Sequence, residues 1–107
     1  MLGIDIVQLS RIQLDAPFMD YVLTEEEKEI YSRKQDNHLK REYLAGRFAA
    51  KEAIFKATQD KGYLNYSVLN DSNGKPYVKD HPEIHISISH DGDYAVAIAL
   101  VNNPNNL

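Results

Sequence analysis

The chain contains no cysteine, which excludes disulfides, thiolate metal sites and a cysteine nucleophile. It has no apolar run approaching the roughly 20 residues that a membrane helix needs, so no membrane partner is expected. The N-terminus, Met1-Leu2-Gly3-Ile4-Asp5-Ile6-Val7, lacks the basic start and long apolar core of a secretion signal, and a cytoplasmic protein is expected. No glycines are arranged as a Walker or dinucleotide phosphate loop. No serine sits in the glycine pattern of a nucleophile elbow. The 4 histidines are too scattered for a helical H-E-x-x-H metal motif. An excess of positive charge is also missing. With 12 Lys plus Arg against 16 Asp plus Glu, the net charge is −4, which argues against general nucleic-acid binding.

What is present is the composition of a small globular domain: 43% hydrophobic and 26% charged residues over 107 positions. One domain spanning 1–107 is expected, with a polar, proline-containing tail at 102–107 that need not be ordered. So short a chain leaves much surface uncovered, which favours self-association. The charge is unevenly spread. Glu25, Glu26, Glu27 and Glu29 form an acidic patch, and Arg33, Lys34, Lys40, Arg41, Arg47, Lys51 and Lys56 make the following stretch basic. A local basic surface on an acidic protein suits a small polyanion or an acidic partner.

The hydrophobic pattern predicts an α+β fold. A strand over 3–8 comes first. A helical turn from Ser10 to Leu14 is expected to be interrupted by Pro17. Thr24 followed by Glu27 is a capping-box signature for a helix over about 25–34. A polar turn at Gln35–His38 leads into a long helix over about 39–59, with Gly62 as the stop signal. The texture then turns to β. Tyr66–Leu69 is a candidate strand, Asn73-Gly74 a hairpin turn and Tyr77-Val78 the return, with Pro76 forcing an edge or a bulge. Ile84, Ile86 and Ile88 alternate with His85, Ser87 and Ser89 as in a half-buried strand. Asp91-Gly92 turns into Tyr94–Val101, whose two apolar faces predict a central strand with an alanine face (Ala95, Ala97, Ala99) that receives a helix. The expected architecture is a helix-rich first half, one long helix packed on a largely antiparallel sheet.

Chemistry concentrates in few places. Ala45, Ala49, Ala53 and Ala57 recur every four residues and make a ridge that another element can approach closely. Glu52 and Lys56 share a face of that helix, as an ordinary surface pair also would. Asp5 lies in an apolar strand, where a lone carboxylate is expensive; its partner is either a backbone group it caps or a metal or other cation. His90 ends a strand, where it needs no role. Two hard carboxylates with nearby cations favour Mg²⁺, which takes its remaining ligands from water and phosphates. Such a site suits phosphoryl-type chemistry.

Four motifs in order carry a resemblance: Gly3-Ile4-Asp5-Ile6-Val7, then Leu44-Ala45-Gly46-Arg47-Phe48-Ala49-Ala50-Lys51-Glu52-Ala53, then Asn73-Gly74-Lys75-Pro76, then His85-Ile86-Ser87-Ile88-Ser89-His90. Together they closely resemble the holo-[acyl-carrier-protein] synthases, the short bacterial 4′-phosphopantetheinyl transferases. The resemblance implies transfer of the 4′-phosphopantetheine arm of coenzyme A to a serine of apo acyl carrier protein, releasing adenosine 3′,5′-bisphosphate. It implies that Asp5 and Glu52 hold Mg²⁺ and that Lys56 lies beside the phosphates. Arg47 and His90 would approach the nucleotide and its 3′-phosphate, and Asn73, Gly74, Lys75 and Pro76 would run along the coenzyme. It implies a homotrimer with sites at subunit interfaces, and carrier-protein docking on the first helix, where Arg11 fits and Asp15 and Asp20 oppose. The general base stays open between a metal-bound water and Glu52. One departure stands out. The family follows Lys-Ala with a glycine-bearing turn, and here Ala57 is followed by Thr58-Gln59-Asp60-Lys61-Gly62. Two competing functions are a metal-dependent nucleotide phosphohydrolase and an inactive coenzyme-binding or carrier-binding module.

Overall fold

The computed structural model describes residues 1–102; the rest of the expected tail lies outside the described residues. Strand β1 (Leu2–Gln8) runs into a 3₁₀ turn (Leu9–Arg11). Three helices follow: α1 (Ala16–Val22), α2 (Glu25–Ser32) and α3 (Asn37–Thr58). A second 3₁₀ turn (Tyr63–Asn65) precedes β2 (Val68–Asn70), β3 (Pro76–Val78), β4 (Ile84–Asp91) and β5 (Tyr94–Val101). The α+β expectation holds. Strands β1, β5 and β4 form one antiparallel sheet with β5 in the centre, and β2 and β3 form a separate hairpin.

Helix α3 lies on one face of the sheet. Its alanines 45, 49, 53 and 57 are buried, as are Ala95, Ala97 and Ala99 of β5. Small side chains on both sides let the two backbones approach closely, and Gly3 shows how closely. A Cβ placed there would lie 2.0 Å from the carbonyl oxygen of Ala53, so only glycine fits where β1 crosses the helix. The opposite sheet face is open. Leu2 stands beside Leu100, Ile4 beside Ile98 and Ile6 beside Val96, and all but the half-buried Val96 are exposed.

The capping box of α2 is formed as expected, Thr24 accepting from the Glu27 N–H while Glu27 accepts from that of Thr24. Two expectations fail. Pro17 does not interrupt a helical turn. It stands in the first turn of α1, where its missing N–H costs nothing, and Asp15 caps that helix by accepting from Phe18 N at 2.8 Å. Nor does Gly62 stop α3. Gln59 does, in the left-handed conformation with φ 68°, a place glycine usually takes. Among the described residues no helix is long and apolar enough to cross a membrane.

Candidate active site

Asp5 and Glu52 come from different elements and line one cleft of about 550 Å³. Ile6, Gln8, Arg11, Phe18, Phe48 and Tyr94 complete most of its wall. Alternation along β1 turns Gly3, Asp5 and Val7 toward α3 and the neighbouring residues to the open face. The Asp5 side chain is 18% exposed and paired with Lys56. Lys56 Nζ donates to Asp5 Oδ1 at 3.1 Å and to the Ile4 carbonyl at 3.0 Å. Of the partners open to Asp5, the one it has in this chain is therefore a cation. Lys56 is half exposed, so this pair contributes little to stability and leaves the ammonium within reach of an incoming anion.

Glu52 is held differently. The phenol of Tyr63 donates to Glu52 Oε1. Burial, and then this bond, raise the Tyr63 pKa above that of an ordinary tyrosine. Among the described residues, no protein donor reaches Glu52 Oε2 or Asp5 Oδ2. Each carboxylate thus has one oxygen steadied by the protein and one uncommitted. Two uncommitted carboxylate oxygens in one cleft fit Mg²⁺, a hard cation that needs few protein ligands. Among the described residues no group of three or more His, Cys, Asp or Glu side chains converges as a metal site.

The basic stretch does not gather around Glu52 as expected. Lys51 is buried at 1% exposure and donates to Glu27 and to the Val22 carbonyl. Arg47 is also buried, its guanidinium 4.4 Å from the Tyr43 ring centre. It donates to the Val68 carbonyl at 3.0 Å and to Asn70 Oδ1, and Asn70 in turn donates to the Gly74 carbonyl at 2.9 Å. Arg47 therefore braces the hairpin that carries Asn73, Gly74 and Pro76. Of the expected cations, only Lys56 and Arg11 stand at the acid cleft.

The remaining expected residues lie elsewhere. Lys75 and Pro76 line a second groove of about 730 Å³, with Tyr77, His85, Ser87, Ile98 and Leu100. His90 Nε2 sits 3.0 Å from the Glu42 carbonyl oxygen and against Gly46, lining neither cleft. The acid cleft is at the β1 edge of the sheet, and the second groove lies toward its β4 edge.

Arg11 is placed by its neighbours. Asp93, in the β4–β5 turn, accepts from Ser10 N at 3.0 Å and from Ser10 Oγ at 2.8 Å. Arg41 Nε donates to the carbonyl of Ile12. The two opposing acids are occupied locally, Asp15 as a helix cap and Asp20 with Lys28 at 2.7 Å. Sequence reasoning missed Tyr63. The available signal was an aromatic directly after Gly62, where the resemblance calls for a glycine-bearing turn.

The profile of the 4′-phosphopantetheinyl transferase superfamily matches residues 1–99. The chain is 43% identical to the holo-[acyl-carrier-protein] synthase of Geobacillus sp. (strain WCH70), covering 94% of this chain and 93% of that protein. It is likewise 43% identical to the one from Acholeplasma laidlawii, with the same coverage. Among solved structures, the Bacillus anthracis holo-(acyl-carrier-protein) synthase in complex with CoA (3′,5′-ADP) superposes with a TM-score of 0.82 at 39% identity, over 94% of this chain and 93% of that one. The Neisseria meningitidis synthase superposes with a TM-score of 0.84 at 27% identity, over 95% of this chain and 97% of that one.

Proposed function

The chain belongs to the 4′-phosphopantetheinyl transferase superfamily, and from that premise we propose that it acts as a Mg²⁺-dependent holo-[acyl-carrier-protein] synthase built as a homotrimer. It transfers the 4′-phosphopantetheine arm of coenzyme A to apo acyl carrier protein. The serine oxygen of the carrier attacks phosphorus, the bond to adenosine 3′,5′-bisphosphate breaks, and the serine proton leaves to a base. A cytoplasmic location belongs to the same proposal.

The observation that carries the metal is the convergence of Asp5 and Glu52 on one cleft, each with an uncommitted oxygen. Mg²⁺ held there would neutralise charge on the coenzyme A pyrophosphate. Lys56 adds a positive charge beside the same phosphates and keeps Asp5 oriented. Asn73, Gly74 and Pro76 lie along the coenzyme on a hairpin braced by Arg47, and His90 serves the nucleotide end.

The trimer is supported by where the two clefts sit. The acids are at one edge of the sheet and the hairpin groove lies toward the other. A head-to-tail ring of copies brings the acid edge of one against the hairpin edge of the next, and it covers the open face that carries Ile4 and Ile98. Sedimentation should show three chain masses for the wild type. Ile98→Asp, which puts a charge on that face, should give monomers with at least about tenfold lower transfer. A fully active monomer would refute the trimer.

The reaction is tested by mass spectrometry of apo acyl carrier protein incubated with the protein, coenzyme A and Mg²⁺, where a gain of one phosphopantetheine arm is expected. The same assay tests docking. Arg11 stands at the mouth of the acid cleft, and acyl carrier proteins are acidic. Arg11→Glu should raise the KM for carrier protein and leave that for coenzyme A nearly unchanged. Added salt should likewise raise the carrier KM, since exposed charges are screened over about 8 Å at physiological ionic strength. A flat salt response with an unchanged carrier KM would make Arg11 ordinary surface.

A further inference from the structure

We propose that the Tyr63 hydroxyl is a positioning group for Glu52, fixing how that carboxylate is presented to a divalent cation. The inference rests on the metal reading of Glu52 and adds the device that holds it. Glu52 sits on α3 with a flexible side chain, half-buried. Among the described residues, the Tyr63 phenol is the one hydrogen-bond partner of its carboxylate.

The phenol is itself held from several sides. Its ring meets Tyr21 of α1 edge-on, the centres 5.2 Å apart, and Phe48 of α3 edge-on at 6.0 Å. The residue is 9% exposed. The chain between α3 and the ring is folded back by Asp60. Its carboxylate accepts from Gly62 N and from the Tyr66 hydroxyl, both at 2.8 Å, while Asp60 N donates to Thr58 Oγ1. This is the segment that departs from the glycine-bearing turn of the resembled family. In this chain the departure builds a hydrogen-bonded bracket that returns a phenol to Glu52, 11 residues earlier in the chain.

The bracket has a chemical consequence. With Oε1 tied to the phenol, Oε2 is the oxygen left for a cation, as Oδ2 is for Asp5 next to Lys56. Outer partners of metal-binding groups typically change metal affinity or activity by about 10-fold to 100-fold when removed.

The test uses the whole protein and Mn²⁺ alone as a spectroscopic stand-in for Mg²⁺, with binding read by electron paramagnetic resonance without coenzyme or carrier. Tyr63→Phe keeps the ring and its packing, whereas Tyr63→Leu loses both. Tyr63→Phe should weaken Mn²⁺ binding roughly tenfold and lower kcat, with the carrier-protein KM unchanged. Tyr63→Leu should weaken binding to the same extent and, unlike Tyr63→Phe, also lower the melting temperature. Equal Mn²⁺ affinity and kcat in wild type and Tyr63→Phe would overturn the proposal while leaving Glu52 a metal residue. If wild type bound Mn²⁺ no better than Glu52→Gln, the metal reading would fall and the proposal with it.

Discussion

Replacing Asp5 or Glu52 should remove nearly all transfer while leaving the fold standing. Both carboxylates sit in one cleft, on different elements, with one oxygen each uncommitted. If both hold one cation at the reacting pyrophosphate, losing either costs several kcal/mol of transition-state stabilisation, and each 1.4 kcal/mol is about tenfold in rate. A fall of roughly a thousandfold or more in kcat/KM is therefore expected for Asp5→Ala. The structural cost is small there, because Lys56 is half exposed and water can replace its partner. Glu52→Ala is less clean. It leaves the buried Tyr63 hydroxyl without its acceptor, at a cost of about 1–3 kcal/mol of stability. Glu52→Gln keeps an acceptor for the phenol and removes only the charge. Rates from the mass-spectrometric assay, with melting temperatures measured alongside, check all three variants. Near wild-type rates at limiting Mg²⁺ in any of them would remove that residue from the metal site.

The parts of this fold that were legible in the sequence are those encoded by local period. Alternation placed β4 and the central β5, and the four-residue alanine spacing announced the close contact between α3 and the sheet. That Asp5 needs a partner was legible because it is an acid inside an apolar strand, and in the structure Lys56 is that partner. What stayed hidden depends on partners far along the chain. Lys51 and Arg47 read as surface cations from composition, yet each is buried with acceptors more than 20 residues away. Tyr63 reads as a loop aromatic until the Asp60 bracket turns it back on the helix. Helix α1 is hidden for a local reason: Pro17 reads as a breaker in sequence, yet its position in the first turn after the Asp15 cap suits the start of a helix.

The buried pair of Glu27 and Lys51 should prove a main stability determinant, with either half indispensable. Both side chains are fully shielded from water. Glu27 Oε1 accepts from Lys51 and from Thr24 N, and Oε2 accepts from Val68 N at 2.8 Å. The ammonium also donates to the Val22 carbonyl at 2.7 Å. One ion pair thus ties the end of α1, the cap of α2, the middle of α3 and the start of β2. Burial pushes the Lys51 pKa below its ordinary value, while Glu27 pulls it up. Removing one member leaves the other charge buried and uncompensated, which typically costs about 3–5 kcal/mol. Lys51→Met and Glu27→Leu should each lower stability by that amount in urea unfolding, a large share of the total for a domain of this size. The double variant removes the stranded charge and should be better than the sum of the two. It should not return to wild type, because the N–H of Val68 and the carbonyl of Val22 would remain buried without the partners they have now. Losses under about 1 kcal/mol in both single variants would show the pair to be dispensable packing. Full recovery in the double variant would show that the backbone groups find other partners.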